Sequence, residues 1–510
     1  MRFIEGTDRR QAALFPVSLD DRIDSDNEVR NIDAFVDSLD LEKMGFKVHF
    51  PENGRPAYHP SVLLKLFIYG YMNRIRSSRM LERECSRNLE LMWLLHSLAP
   101  DHNTIANFRK NNPEAIKRVF RATVELAKAH SLIGGKIIAG DGTKLRAQNS
   151  KKNNYNHKKI KRHIEYIDRK LEEYNAELAK ADGDSEKQKI NDEIDKHQGR
   201  RKNYEDLEKQ LEESGQDQIS TSDPESRHMI IRGPVTEVAY NVQSTVDAEH
   251  NLPIDYEVTN INDKRAMGAM LRRAKTILRT ADTTALFDKG YHTGSELLTA
   301  QKLGFKTLVA VPAQASNAPD PAYNSYNFPY DHEQDHYTCP QEHKLKTNGS
   351  IYTKHKGRTD EVSFRQYRTK KCKNCPVRSL CTASAQNGKL IERNIYSEAF
   401  ELNRANIEAE PELYKRRQAI VEHPFGTIKR QWGFDHVLSK NGRKRASADV
   451  GFIFIAYNLR RIGNILNGNG LSASFWAHMG ALFAFLRPLQ ASLGRFAMIY
   501  RISTVRLTFG

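Results

Sequence analysis

Three acidic residues stand in settings that suit metal-dependent chemistry on phosphodiesters. Asp141 follows the apolar run of residues 137–140, and Asp288 follows a second apolar run, residues 284–287. Glu422 lies in a segment with helical periodicity. Carboxylates of this kind can hold two divalent ions, which activate the attacking oxygen and stabilise the leaving one. The pattern therefore predicts a phosphoryl-transfer site in which Asp141, Asp288 and Glu422 bind Mg²⁺ or Mn²⁺.

The neighbours of Glu422 support this interpretation. Lys429 lies seven residues further on and so returns to the same helical face. Apolar residues give the segment a side that packs against the protein body: Val421, Phe425, Ile428 and Trp432. Pro424 cannot donate a backbone hydrogen bond inside a helix, so it predicts a kink or break just after Glu422.

Four of the five cysteines cluster late in the chain. Cys372 and Cys375 form a C-x-x-C pair, Cys381 follows them and Cys339 precedes them. Four thiolates can complete a structural zinc site, which we expect here. An iron–sulfur cluster is the alternative, and a redox C-x-x-C lacks a thioredoxin-like context. The basic run of residues 365–378 fits either a knuckle that grips DNA or a purely structural staple.

The charge balance favours a nucleic-acid partner. The chain of 510 residues has 79 Lys and Arg against 63 Asp and Glu, a net charge of +16, and such an excess suits a polyanion. The cysteines do not resemble a secreted disulfide framework, and no signal peptide is visible. The apolar run of residues 471–486 is short for a membrane span and predicts a buried or amphipathic helix. We therefore expect a cytoplasmic, nucleoid-associated protein.

Helical periodicity dominates the first 130 residues. A polar turn at residues 99–104 offers Asp101 as the N-cap of a helix that carries Arg109. This helix and the one before it could form a DNA-reading helix-turn-helix, with Arg109 as a DNA contact. An ordinary helical bundle explains the same pattern equally well.

The remaining elements predict an α/β protein. Two heptad patterns, Ile160 to Leu178 and Ile190 to Leu211, predict an antiparallel helical hairpin. Residues 227–259 are rich in β-forming residues, with a predicted hairpin turn at residues 248–251. Helical and strand patterns alternate after them, and together these features predict a mixed sheet of the ribonuclease-H type. Both Asp141 and Asp288 are expected at strand ends, where ligands gather in open α/β sheets. Residues 313–395 predict a strand-poor insert.

The predicted fold is a ribonuclease-H-like mixed-sheet core with an all-α N-terminal domain, an inserted helical hairpin and a small cysteine-rich insert. The expected boundaries follow the changes in composition: 1–130 for the helical domain, 131–150 and 225–312 for the first part of the core, 151–224 for the hairpin, 313–395 for the zinc insert, 396–465 for the final part of the core with the glutamate helix, and 466–510 for a tail.

Several segments resemble the DDE transposases of bacterial insertion sequences, specifically the group with a Y-R-E-K signature. They are HPSVLLKLFIYGYMNRIRSSRMLE and PDHNTIANFRK near the start, GDGTKLRAQNS at the first aspartate, FDKGYHTG at the second, and EHPFGTIKRQWG at the glutamate. The resemblance covers nearly the whole chain. It implies a transposase that cleaves DNA at transposon ends and joins it to target DNA, with Asp141, Asp288 and Glu422 as catalytic residues.

The same resemblance implies partners and further contacts. The partners are double-stranded DNA, both terminal inverted repeats and target, and a second copy of the chain in a homodimeric synaptic complex. The DNA contacts that it suggests within the matching motifs are Tyr414, Arg417, Lys429, Lys144 and Lys289.

One spacing departs from the usual signature. Tyr414 and Arg417 keep their mutual spacing, as do Glu422 and Lys429, but four residues rather than three separate Arg417 from Glu422. One extra residue turns the first pair by about 100° around an ideal helix. Two other functions fit much of the sequence: a non-catalytic DNA-binding descendant of a transposase, and a metal-dependent nuclease that cuts without joining.

Overall fold

The computed structural model describes residues 18–49, 56–280, 282–313, 318–356, 360–384 and 386–468. The chain divides into a larger unit, residues 1–134, 142–261 and 422–510, and a smaller unit, residues 135–141 and 262–421. The predicted tail lies outside the described residues from 469 onward, and the apolar run 471–486 lies there too. Within the described ranges, no helix is long and apolar enough to cross a membrane.

Helices and strands both contribute to each unit. The described α-helices are α1 Glu28–Asp37, α2 Pro60–Met72, α3 Ser78–Cys85, α4 Leu89–Leu94, α5 His102–Asn111, α6 Pro113–Ala129, α7 His157–Leu178, α8 Asp184–Ser214, α9 Met267–Leu278, α10 Gly294–Lys302, α11 Arg378–Cys381, α12 Ser397–Ala409, α13 Pro411–Gly426 and α14 Arg443–Gly468. The described strands are β1 Ile137–Arg146, β2 Asn154–Tyr155, β3 Ile219–Ser220, β4 Arg227–Arg232, β5 Val235–Asp247, β6 Leu252–Thr259, β7 Thr284–Phe287, β8 Lys306–Val309, β9 Tyr330–Asp331, β10 His336–Thr338, β11 Lys344–Lys356, β12 Asp360–Arg368 and β13 Ile391–Asn394.

The helical start of the larger unit packs on α14, the last helix among the described residues. Asp101 accepts hydrogen bonds from the backbone N–H groups of Asn103 and Thr104, so the predicted N-cap of α5 is confirmed. The core helix α14 packs against α2, α6 and β6. Phe67 of α2 stacks on Phe452 of α14, with ring centroids 4.6 Å apart. The N-terminal region is therefore helical and shares its core with α14.

A buried charge cluster joins the same helices and includes Arg109. Asp449 of α14 is fully buried and accepts hydrogen bonds from the hydroxyl of Tyr71 and, at 2.8 Å, from Nη2 of Arg76. Nη1 of Arg109 lies 3.4 Å from the same carboxylate and 2.8 Å from the Tyr71 hydroxyl. Arg109 is only 9% exposed. Its guanidinium neutralises a buried carboxylate in this structure, and its role as a DNA contact stays a prediction.

The strands of the larger unit centre on β5. It pairs antiparallel with β4 and with β6, and β1 is its neighbour on the other side. The turn between β5 and β6 lies at the predicted residues, and Asn251 there adopts a φ of +56°. Between β1 and β4, α7 and α8 pack against each other, with Ile160, Ile167 and Ile194 buried at their contact.

The smaller unit contains parallel strands and a second sheet. β1 pairs parallel with β7, and β7 with β8. Asn403 of α12 both donates to and accepts from the backbone of Val309, which fixes α12 against β8. The combination of parallel and antiparallel pairs in the two units confirms the predicted mixed α/β class.

The prediction that residues 313–395 are strand-poor is wrong. They form a five-stranded antiparallel sheet in the order β13-β12-β11-β10-β9. Its apolar core is small, and consists of Phe328, Tyr337, Leu345, Tyr367 and Ile391. Few positions in these strands are apolar, so the sequence shows little of the apolar–polar alternation from which strands are predicted.

Candidate active site

Two of the predicted metal ligands occupy matching positions on neighbouring strands of the smaller unit. β1 and β7 run parallel, with Ala139 opposite Leu286. Asp141 and Asp288 each follow this pair by two residues, and both carboxylates lie within electrostatic range of Tyr414. The two aspartates therefore hold matching positions relative to the paired strands and lie in the same part of the smaller unit.

Asp288 ends its strand as predicted, but Asp141 does not. Oδ1 of Asp288 accepts a hydrogen bond from the backbone of Gly290 at 2.8 Å and so caps a 3₁₀ turn. β1 continues beyond Asp141 to Arg146, whose backbone N–H donates to the carbonyl of Asp435. The prediction of a strand end is thus wrong for Asp141, because its strand leaves β7 and gains new partners in the larger unit.

Gly140 lets the aromatic ring of Phe287 pack close to the backbone directly before Asp141. A Cβ atom on Gly140 would lie 2.0 Å from the ring of Phe287. Phe287 and Tyr291 are fully buried, and their ring centroids are 4.9 Å apart. Only glycine leaves room for this ring directly before Asp141. The motif around Asp141 contained this signal, but the sequence did not show what the glycine contacts.

The first half of α13 places a cation and a phenol beside the aspartates. Nη1 of Arg417 lies 3.4 Å from Oδ2 of Asp141, and their side chains are only 16% and 28% exposed. Burial raises the pKa of Tyr414, the guanidinium of Arg417 lowers it, and the carboxylates of Asp288 and Asp141 raise it further. Tyr414 is therefore within electrostatic range of both aspartates. The smaller unit thus brings four predicted site residues together.

Glu422 begins the part of α13 that belongs to the larger unit, and its side chain is exposed. The helix does not break at Pro424: it continues to Gly426, and a π-helical turn, Thr427–Gln431, follows. The predicted irregularity is therefore a change of helix type shortly after the proline. Such turns often mark functional segments.

Lys429 lies in this π-helical turn and contacts β1. Its Nζ donates to Oγ1 of Thr143 and to the carbonyl of Lys144, both at 3.2 Å. Burial lowers the pKa of Lys429. Thr143, which the sequence analysis did not single out, thereby joins the candidate set. Of the other predicted DNA contacts, Lys144 is half-buried, whereas Lys289 is exposed beside Asp288.

The four late cysteines lie near one another in the smaller unit. Burial raises the pKa of Cys372, the backbone N–H of Lys389 lowers it, and the thiols of Cys339 and Cys375 raise it. Burial also raises the pKa of Cys381. The backbone N–H of residue 343 donates to Sγ of Cys339 at 3.3 Å.

The side chains as placed do not complete a metal site. Throughout the ranges that the structure describes, no group of three or more His, Cys, Asp or Glu residues is arranged to hold a metal ion. This applies to the predicted zinc ligands and to the predicted acidic trio alike. What the structure shows is a pair of aspartates in matching positions and a group of mutually interacting thiols.

Comparisons with known proteins match both ends of the described chain. Residues 17–111 match the family described as Transposase domain (DUF772), and residues 338–463 match the family described as Transposase DDE domain. No curated protein matches the chain. A solved structure of piggyBac transposase, in a synaptic complex with hairpin DNA, is 9% identical over 91% of this chain and 79% of that one. Its TM-score of 0.33 is too low to support an argument.

The second match contains both Glu422 and Lys429 and the whole four-cysteine cluster. Enzymes with a DDE domain use divalent metal ions, and a transposase acts on DNA. The two matched domains support a DDE transposase of an insertion-sequence type.

Proposed function

We propose that this DNA transposase cleaves phosphodiester bonds at transposon ends and joins the freed 3′ end to target DNA in a metal-dependent reaction. The observation that carries the proposal is the grouping of Asp141 and Asp288 with Arg417 and Tyr414 in the smaller unit. Phosphoryl transfer needs alignment and neutralisation of charge more than covalent help. A group of acids that can bind cations, with a guanidinium beside them, can provide both the alignment and the neutralisation of charge.

The donor set suits a hard divalent cation. Asp141 and Asp288 offer carboxylate oxygens from neighbouring strands, and Glu422 would be the third ligand; Mg²⁺ favours such oxygens, with water completing its shell. When bound, the ions would activate the attacking oxygen and stabilise the leaving one. The acids also hold Arg417 in place, since its guanidinium already lies against Asp141.

The basic and phenolic side chains would bind and orient the DNA. Arg417 presents a planar fork that matches a phosphate group. Tyr414 stays protonated at neutral pH because its pKa is raised, so it can donate to a phosphate oxygen. Lys429 is fixed against β1 and would hold a phosphate near the segment that follows Asp141. Lys144 and Lys289 would contact the DNA backbone.

We also propose that the sheet is of the ribonuclease-H type. Parallel pairing of β1, β7 and β8 and antiparallel pairing of β4, β5 and β6 support this topology. The helical N-terminal region would recognise the terminal inverted repeats, and two copies of the chain would be needed to bring two ends together.

A second proposal concerns the four-cysteine cluster. Neighbouring cysteine thiols raise each other's pKa, and a shared cation would stabilise their thiolate forms. We propose that this cation is a structural Zn²⁺. The backbone N–H groups that contact two of these sulfurs support a site for thiolates. Such a staple would stabilise a module whose apolar core is small.

A cleavage and joining assay tests the catalytic proposal. Labelled duplexes that carry the sequences flanking the gene would be incubated with the protein and Mg²⁺ and resolved on a denaturing gel. The wild type should cut and join, whereas Asp141→Asn, Asp288→Asn and Glu422→Gln should do neither while still binding DNA. The matched control is Glu412→Gln, because Glu412 is an exposed acid on the same helix and pairs only locally with Lys415.

Each alternative has its own signature in this assay. Cutting without joining would favour a nuclease, and binding without cutting would favour a non-catalytic descendant. If Glu422→Gln cleaves as well as the wild type, Glu422 is not part of the site, and the assignment of the two aspartates is unaffected.

A further inference from the structure

An open cavity of about 460 Å³ lies at the base of the α7–α8 hairpin. Its lining combines two phenol rings with side chains that donate or accept hydrogen bonds: Tyr155, Tyr204, Arg200, Asn203, Asp206 and Gln210. Ligand sites in proteins commonly have volumes of about 300–1,000 Å³. The cavity is therefore large enough for one planar heterocycle.

The ring of Tyr204 is held in place by its neighbours. The imidazole of His163 stacks on it with centroids 4.8 Å apart and planes 2° from parallel. Tyr155 meets it edge-on at 5.7 Å. The ammonium group of Lys159 lies 4.4 Å from the Tyr155 ring and donates to the carbonyls of residues 151, 152 and 154. Two aromatic side chains are thus ordered before any ligand arrives, which lowers the entropic cost of stacking.

The chain that enters the hairpin is strongly basic. Residues 151–162 contain basic side chains and no acid: Lys151, Lys152, Lys158, Lys159, Lys161 and Arg162. Lys159 is engaged with backbone carbonyls, but Lys152, Lys158, Lys161 and Arg162 are exposed. Exposed cations attract the phosphates of a nucleic acid irrespective of its sequence.

The cavity itself suits a base better than a phosphate. Asp206 in the lining opposes the attraction of Arg200 for a phosphate, whereas a carboxylate accepts hydrogen bonds from the amino groups of bases. Asn203 and Gln210 can each donate and accept, as the edges of bases require. Aromatic rings bind unpaired bases by stacking with little dependence on sequence. A paired base within a duplex does not expose its face for such contact.

We propose that this cavity binds an unpaired base of the DNA, stacked on Tyr204, while the adjoining phosphates lie against the basic residues of the hairpin entry. The site lies wholly in the larger unit and uses none of the acidic trio. It also lies outside both family matches. The proposal requires DNA as the partner, but it stands or falls independently of the catalytic assignment.

Binding in EDTA separates this site from catalysis. The probes would be a fluorescein-labelled single strand, the same strand fully paired, and a single strand that contains 2-aminopurine. Wild-type protein should quench the 2-aminopurine fluorescence on binding. Tyr204→Ala should abolish that quenching and weaken single-strand binding about 5- to 100-fold, the range expected for one lost base–aromatic stack. Duplex affinity should change less than about 2-fold, because it depends on phosphate contacts.

Three further variants make the test specific. Tyr204→Phe keeps the ring and should retain the quenching. Tyr166→Ala removes a tyrosine that is 43% exposed on α7 but does not line the cavity, and it should bind as the wild type does. Asn203→Ala changes an exposed helix position and should weaken single-strand binding about 2- to 10-fold through one lost hydrogen bond.

The proposal is overturned if a Tyr204→Ala protein, shown by circular dichroism to be folded, binds single strands as the wild type does. It is also overturned if that protein loses single-strand and duplex affinity equally. If Tyr204→Ala does not fold, Asn203→Ala decides, and unchanged single-strand binding and quenching by that variant rejects the site.

Discussion

Asp449→Asn should destabilise the larger unit by about 3–5 kcal/mol, because it leaves two buried guanidinium groups without their carboxylate. Asp449 is 0% exposed, and the side chains of Arg76 and Arg109 are 6% and 10% exposed. Arg76 donates to it at 2.8 Å, and the backbone N–H of Leu438 donates at 2.7 Å. An asparagine keeps the size but cannot neutralise the two cations.

An exposed ion pair provides the matched control. Arg146 and Asp435 lie 2.6 Å apart, closer than the buried pair, but their side chains are 50% and 44% exposed. Solvent screens such a pair, so Asp435→Asn should cost about 0–1 kcal/mol. The comparison isolates burial, because the shorter contact is expected to have the smaller effect.

Urea unfolding followed by tryptophan fluorescence measures both variants. Trp432 reports on this region because it packs against Phe434, over which the Arg76 guanidinium lies. With a slope of about 2–3 kcal/mol per molar urea, Asp449→Asn should lower the midpoint by about 1–2.5 M. A shift no larger than that of Asp435→Asn would refute the reasoning. Arg109→Met should also lower the midpoint; a normal midpoint with weakened DNA binding would support Arg109 as a DNA contact.

The pH dependence gives a second check of the same cluster. Burial alone raises the pKa of Asp449, but the guanidinium groups of Arg76 and Arg109 outweigh it, and the pKa is lowered. A carboxylate with a depressed pKa in the folded state stabilises the protein above its unfolded pKa, about 3.9 for Asp. That stability is lost as the pH falls through the folded value. The difference between wild type and Asp449→Asn should therefore be full at pH 7 and shrink below about pH 4.

Four further predictions concern the candidate site and the cysteine module. Asp288→Asn should slow cleavage about 100-fold or more in single-turnover assays while gel shifts stay normal, because charge stabilisation worth several kcal/mol is lost. Gly140→Ala should lower stability by about 1–3 kcal/mol in thermal unfolding, since its Cβ meets a buried ring at 2.0 Å; Gly183→Ala, with nothing within 4 Å, is the control and should not. Since burial lowers the pKa of Lys429, DNA binding should weaken at an alkaline pH below the usual lysine value of about 10.4. Lys429→Arg should move this loss of binding to higher pH. Native mass spectrometry should find about one zinc per chain, lost in Cys375→Ser; a metal-free wild type purified without chelator would contradict the zinc proposal.

Local pattern predicted the two aspartates but not the whole course of their strands. Apolar runs before Asp141 and Asp288 are visible in the sequence, and both runs are strands. Beyond Asp141, β1 extends to Arg146 beside β5, and the backbone of Arg146 also donates to residue 435, far away in the chain. No periodicity near Asp141 could show such a partner. The sequence therefore placed the acids on the correct strands and misplaced one strand end.

Long-range charge pairing explains the burial of Arg109. On its own helix this residue lies near the polar, basic end, as a DNA contact would. Its carboxylate partner is 340 positions away, on a helix whose pattern is largely apolar. Helical periodicity reports which face is apolar, but it does not report whether a cation on that face finds a buried anion. The basic composition therefore indicated the kind of partner but could not show that this one residue is buried.

Tyr414 and Arg417 lie beside the aspartates although one extra residue separates Arg417 from Glu422. Arg417 contacts Asp141, and Tyr414 is within electrostatic range of both aspartates, so the first half of α13 is seated on the aspartate pair. The helix is α-helical throughout Pro411–Gly426, and the π-helical turn follows only afterward. Five residues turn about 140° around an ideal helix, whereas four turn about 40°. On an ideal helix, Glu422 therefore lies about 100° further round from Arg417 than it would with the usual spacing.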